Sequence, residues 1–240
     1  MMTIVITMAG LGSRFAKAGY TVPKYMIEAK GKTLFDWSMD SLKGYNKADT
    51  EYIFVVRKED EAEDFIVSHC QAAQIVNRKI VEIDKLTDGQ AATAMLAAPY
   101  WKKTSELMIY NIDTFVESYE LKAEDIAGDG YIPCFHAEGD HWSFVKLDEN
   151  KRAVEVREKF RISDNCTLGA YYFKSCKLYE DLYEEYYADE DNLEQGEKYV
   201  APLYNFMIQK GMDVRISIID FGKVHVLGTP EELEIFKREY

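Results

Sequence analysis

The chain has 240 residues, 47% of them hydrophobic, with 17 tyrosines, which is enough apolar material for one full core and excludes a disordered class. A net charge of −13 argues against a nucleic acid polymer as partner, because such partners demand a basic surface. Cys70, Cys134, Cys166 and Cys176 form no Cys-x-x-Cys pair and the histidines are scattered, so neither zinc nor redox chemistry is indicated and a reducing compartment is expected.

Thr3 to Thr7 is a β-branched run that predicts a buried parallel strand at the N-terminus. Thr33 to Leu42 reads as a helix capped by Thr33, Glu51 to Val56 as a strand, and Glu59 to Gln71 as a charged helix with Ala62, Phe65 and Ile66 on one face. A short strand from Lys79 to Ile83, a small-residue helix from Gly89 to Ala97 and a strand from Glu106 to Tyr110 follow. Strand alternating with helix argues for a doubly wound parallel sheet in this half. Beyond residue 130 the strands 131–136, 143–147, 153–158 and 168–173 run without intervening helices and predict an antiparallel extension laid over the first half. Helices 177–187 and 202–209 and a strand 214–219 precede Thr229-Pro230-Glu231-Glu232, where Thr229 caps a last helix and Glu232 completes a capping box. No apolar run approaches the roughly 20 residues of a membrane span, and no signal-peptide pattern precedes the first strand, so a cytoplasmic location away from any membrane is expected.

The most informative stretch is Met8-Ala9-Gly10-Leu11-Gly12-Ser13-Arg14, directly behind the first strand, with Pro23-Lys24 beyond it. Open α/β sheets bind ligands where the chain leaves the carboxyl ends of strands. Gly10 and Gly12 permit left-handed backbone angles and close approach of N–H groups to an anion; Arg14 offers a planar fork and Lys24 a point charge for phosphate oxygens. The dinucleotide fingerprint would need a third glycine where Phe15 stands, and Lys30-Gly31-Lys32-Thr33 lacks the first glycine of a Walker A loop, Met26 occupying that position. Asn111-Ile112-Asp113 ends the fourth strand on the same edge. A carboxylate there is placed to hold Mg²⁺ against phosphate oxygens, although an aspartate that merely caps a strand end has the same look.

Gly10-x-Gly12-x-Arg14 followed by Pro23-Lys24 resembles the signature of the sugar-phosphate nucleotidyltransferases, or nucleotide-diphospho-sugar pyrophosphorylases, and within them the short bacterial capsule-type members that serve capsular polysaccharide biosynthesis. The resemblance runs to Gly228-Thr229-Pro230. It implies a Rossmann-like three-layer α/β fold with a mixed, mostly parallel central sheet and an antiparallel extension, in one domain over 1–240: a nucleotide-binding half of about 1–127 and an acceptor-binding half of about 128–240. It implies a reaction between a nucleoside triphosphate and a small phosphorylated acceptor, with Mg²⁺ as cofactor and pyrophosphate as leaving group. Carried over by residue, Arg14 and Lys24 are the catalytic cations; Met8, Ala9, Gly10, Gly12 and Ser13 hold the nucleotide, and Gly89 and Gln90 meet its base. Asp113 binds the metal. Glu158, Lys159, Gly169 and Asn205 face the acceptor, the glutamate through a hydroxyl and the lysine through the phosphate. The compact length is similar to that of cytidylyltransferases and leans to CTP. One departure stands out: Val226 occupies the place of a second metal-binding aspartate, with Asp220 as a candidate substitute. Two other classes stay open at this point, a nucleotide-sugar-dependent glycosyltransferase using Asn111-Ile112-Asp113 as its metal motif, and a non-catalytic nucleotide-binding protein. A homo-oligomer is neither required nor excluded.

Overall fold

A computed structural model describes all 240 residues. In chain order the first part comprises β1 (Met2–Thr7), α1 (Ser13–Lys17), β2 (Glu28–Ala29), β3 (Lys32–Thr33), α2 (Leu34–Ser41), β4 (Glu51–Arg57), α3 (Glu63–Ala72), β5 (Arg78–Ile83), α4 (Gln90–Met95), β6 (Glu106–Asn111) and β7 (Thr114–Val116). The second comprises β8 (Gly130–His136), β9 (Ser143–Leu147), β10 (Ala153–Glu158), β11 (Asn165–Thr167), β12 (Ala170–Phe173), α5 (Cys176–Tyr186), α6 (Ala201–Gln209), β13 (Val214–Ile219), β14 (Val224–Val226) and α7 (Pro230–Glu239).

Ten strands form one mixed sheet in the order β10-β9-β11-β8-β12-β6-β1-β4-β5, with β13 paired to β8. Strands β5, β4, β1 and β6 are mutually parallel. The apolar runs that build them are buried on both faces, and the two-residue period divides them between two layers. Ile4, Ile6, Tyr52, Phe54, Met108 and Tyr110 pack toward Phe35 and Met39 of α2 and Ile66 and Cys70 of α3. Their neighbours Val5, Ile53, Val55, Leu107 and Ile109 pack toward Ala91 and Ala94 of α4, Tyr179 of α5 and Leu203 of α6. This is the three-layer α/β arrangement the sequence predicts.

The antiparallel strands do not lie over the parallel half. They continue its sheet edge to edge, β12 pairing antiparallel with β6 through Ala170↔Tyr110 to Phe173↔Leu107. The predicted strand 168–173 breaks at Gly169, whose φ of +82° turns the chain. Residues before the break pair with β8 and β9, residues after it with β6 and β8, so the sheet forks there. A Cβ on Gly169 would lie 2.6 Å from the Asn111 side-chain nitrogen, which leaves glycine as the residue that fits. The helix expected from Glu59 starts at Glu63 instead, because Arg57 clamps Glu59 and Asp60 into a 3₁₀ turn and Glu61 adopts a left-handed φ of +46°.

Two helix starts show the same design with different outcomes. At α2 the Thr33 hydroxyl accepts from the Asp36 N–H at 3.2 Å and the Asp36 carboxylate accepts from the Thr33 N–H at 3.1 Å, a closed capping box. At α7 the Thr229 hydroxyl accepts from the Glu232 N–H at 3.1 Å, but the Glu232 carboxylate does not return to Thr229. The expected box is therefore half made. Helix α7 is held by Leu233 and Phe236 against Trp37 and Phe115.

Candidate functional site

The chain passes from β1 to β4 and β5 on one side and returns to β6 on the other, so the carboxyl ends of β1 and β6 flank a topological switch point. A cleft of about 500 Å³ opens there. Its volume falls in the range of small-molecule sites.

One wall comes from the parallel half. Ala9, Gly10, Arg14, Lys24, Gly89, Gln90 and Asp113 all line it. Only Gly12 takes the left-handed conformation expected of both loop glycines, at φ +60°, where it starts α1. Gly10 does not, and a Cβ there would meet nothing. Arg14 is exposed and makes no side-chain hydrogen bond or ion pair, which leaves its guanidinium available to a ligand. Met8, Gly12 and Ser13 lie outside the cleft wall; Met8 is core, its N–H donating to the Val55 carbonyl at 2.9 Å. Gly89 has a φ of +122°, and a Cβ would run into the backbone of Lys198 at 2.6 Å. Gln90 donates to the side chain of Asn111, which also receives the Thr7 hydroxyl at 3.5 Å. Asn111 thus ties the ends of β1 and β6 to the start of α4, a role that its place in a three-residue motif did not reveal.

Asp113 is fixed through its backbone. Ser38 of α2 donates to the Ile112 carbonyl at 2.9 Å, and the Leu227 N–H donates to the Asp113 carbonyl at 2.8 Å. Its carboxylate pairs with Lys24 Nζ at 2.7 Å. Burial alone would raise the Asp113 pKa; the Lys24 charge and hydrogen bond outweigh it and hold the carboxyl below its ordinary range. The two residues assigned to phosphate and metal therefore meet each other. Asp220 does not join them: it accepts from the Gly222 N–H at 2.7 Å to cap a turn and lies outside the cleft. Val226 does line the cleft, beside Gly228 and Glu232.

The opposite wall comes from the forked strands. Glu158 ends β10 and accepts a hydrogen bond from Ser143 of β9, whose hydroxyl is 3.5 Å from the Tyr171 phenol; that phenol in turn lies 3.2 Å from the Thr167 hydroxyl. Burial raises the Glu158 pKa above the ordinary glutamate range, against the Ser143 hydrogen bond and the Lys159 charge. Lys159 is not part of the cleft lining; it takes a left-handed conformation, φ +50°, and its Nζ lies 3.0 Å from the phenol of Tyr199, which is. Gly169 lines the cleft at the fork. Asn205 does not reach it, since its amide accepts from the Val156 N–H at 2.6 Å and donates to the Val156 carbonyl, pinning α6 to β10. Trp142, Ser143, Tyr171, Glu197 and Tyr199 complete the wall. Ser143, Trp142 and Glu197 carry no spacing signal; the β9–β10 pairing brings Ser143 to Glu158, and the loop before α6 brings Glu197 to the same wall.

Fold and cleft together define a three-layer α/β protein with a small-molecule site at a topological switch point. No protein-family model and no curated protein sequence matches the chain. Among solved structures, it is similar to a nucleoside-diphosphate-sugar pyrophosphorylase from Vibrio cholerae, with 36% identity over 100% of both chains and a TM-score of 0.90. An inositol-1-phosphate CTP transferase from T. maritima has 17% identity, covers 100% of this chain and 97% of its own, and superposes with a TM-score of 0.75. A CTP:phosphocholine cytidylyltransferase from Streptococcus pneumoniae has 14% identity, 99% and 98% coverage, and a TM-score of 0.74. The chain belongs to the nucleoside-diphosphate-sugar pyrophosphorylase family. It is a nucleotidyltransferase, which sets aside both the glycosyltransferase and the non-catalytic alternatives. No helix is long and apolar enough to cross a membrane.

Proposed function

We propose that this enzyme joins CTP to a small phosphorylated acceptor, a sugar phosphate or another phosphomonoester, and releases pyrophosphate. The reading is supported chiefly by one cleft having two chemically different walls: a glycine loop with free and paired cations on one side, and a glutamate held by a serine on the other. Two neighbours of this fold are named for CTP, and another, from Bacillus anthracis with 16% identity and a TM-score of 0.79, is named as a glucose-1-phosphate thymidylyltransferase, so the choice of CTP is the part of the reading that the matrix below decides.

An acceptor phosphate oxygen forms a new bond to the α-phosphorus, and the bond from that phosphorus to the bridging oxygen breaks as pyrophosphate takes the electron pair. No side-chain nucleophile is required, so rate comes from positioning and charge neutralisation. Arg14 and the 8–14 loop, including Ala9, Gly10 and Gly12, receive the β and γ phosphates, with Ser13 at the first turn of α1. Lys24 leaves Asp113 to meet the charge that develops at the phosphates. Gly89 and Gln90 offer backbone and amide groups to the base edge. Lys159 exchanges its Tyr199 contact for the acceptor phosphate, and Glu158 accepts from an acceptor hydroxyl. The Asp113 carboxylate is a hard oxygen donor suited to Mg²⁺, which would neutralise phosphate charge when bound.

The test is a matrix of the four common triphosphates against phosphorylated sugars, polyols and amino alcohols with Mg²⁺, read by pyrophosphate release. CTP with at least one phosphomonoester should give release that depends on both substrates. Release with another triphosphate alone would move the base assignment, and silence across the matrix would overturn the reading.

A further inference from the structure

The geometry points to Glu232 as the second carboxylate of the metal site, supplied by α7 in place of the aspartate that Val226 has replaced. This rests on the proposed role of Asp113 and deepens it.

Three observations converge on Glu232. It lines the same cleft as Asp113 and Lys24, although it stands far from them in sequence. Its Oε2 is shut off from solvent and has no hydrogen-bond partner. An orphaned carboxylate oxygen in such a place is costly unless a ligand completes it. Third, the carboxylate forgoes the local bond available to it: Asp36 closes its capping box on Thr33, whereas Glu232, at the equivalent position after Thr229, makes no return bond.

Gly228 defines the space that Glu232 and Asp113 share. A Cβ there would stand 3.4 Å from Glu232 Oε2 and 3.5 Å from Asp113 Oδ2, so both oxygens border the volume left by the missing side chain. Val226 lines the same cleft without a side-chain oxygen to offer. Lys24 is the single cation now paired with Asp113. If Lys24 moves to a triphosphate, two carboxylates remain facing one small space, and a divalent cation is the partner that neutralises both. Mg²⁺ and Mn²⁺ accept such a set, one or two carboxylates with phosphate oxygens filling the remaining positions.

The test measures Mn²⁺ affinity by water-proton relaxation, for the protein alone and with CTP, alongside thermal unfolding. Glu232→Gln keeps the backbone N–H that Thr229 caps and removes the charge. Gly228→Ala introduces a methyl at ordinary contact distance, which fills the shared space without straining the fold. Each should weaken Mn²⁺ binding by on the order of 10- to 100-fold or more, since loss of a group that merely supports a ligand already costs that much, with little change in the unfolding midpoint. Val226→Asp added to Glu232→Gln should recover affinity. If Glu232→Gln and Gly228→Ala bind Mn²⁺ like the parent while Asp113→Asn does not, Glu232 is a helix-cap residue and the inference fails while the Asp113 assignment stands. If Asp113→Asn also binds like the parent, both fall.

Discussion

The two walls of the cleft are built by different means. The wall from the parallel half is a product of topology: strand ends, a glycine loop and a turn at Asp113 meet at the switch point because the strand order reverses there. The wall from the forked strands is a product of side chains, in which Ser143, Glu158, Tyr171 and Thr167 from neighbouring strands connect through hydrogen bonds. The first is a general device for holding phosphate and the second a particular surface. Loss of function at the first wall should therefore be general, and at the second confined to one substrate.

The largest effect is expected at the cations. Arg14→Ala or Lys24→Ala should slow pyrophosphate release by ~10²–10³ with every acceptor, by analogy with loss of one preorganised electrostatic donor. Near-parental rates in both variants would remove the loop from the chemistry. Next comes Gly89→Ala, where the φ of +122° and the Lys198 backbone at 2.6 Å leave no room for a methyl. A cost of about 1–3 kcal/mol is expected from backbone strain, visible as a lower midpoint in denaturant. An unchanged midpoint would mean that the 198 segment yields easily.

At the second wall the expected effect is smaller and selective. Glu158→Gln should raise the acceptor KM about tenfold, the scale of one hydrogen bond to a charged group, and leave the nucleotide KM unchanged. Because burial raises the Glu158 pKa, the ionised acceptor of that bond is present above the shifted value and is lost as pH falls through it. The acceptor KM should therefore worsen on acidification at a pH above the ordinary glutamate range, and Glu158→Gln should abolish that limb. Equal changes in both KM values would erase the distinction between the walls. The smallest effect should come from Asn205→Ala, which loses the pin to Val156. About 1 kcal/mol of stability should go, with the acceptor KM kept. A large rise in that KM would return Asn205 to the acceptor site.

This contrast also explains what could be read from the sequence. The parallel strands were legible because burial on both faces leaves continuous β-branched runs, and the loop because glycines and cations follow one of them. Asp113 was legible as a strand-end carboxylate. Asn205 was not, because an asparagine facing a ligand and one pinning a helix to a strand look alike until the fold shows Val156 beside it. Ser143 and Tyr171 come to Glu158 only through strand register, and the edge-to-edge extension through the pairing of β12 with β6. Glu232 looked like a capping-box residue, which its local sequence fits; only the turn of its carboxylate into the cleft says otherwise.

The most direct measurement is ³¹P NMR of the enzyme turning over CTP and a panel of phosphomonoesters with Mg²⁺. The proposed reaction predicts that the acceptor's monoester resonance gives way to a diphosphate diester while free pyrophosphate appears in equal amount. Release of a nucleoside diphosphate, or an unchanged monoester signal with every acceptor and every triphosphate, would contradict it.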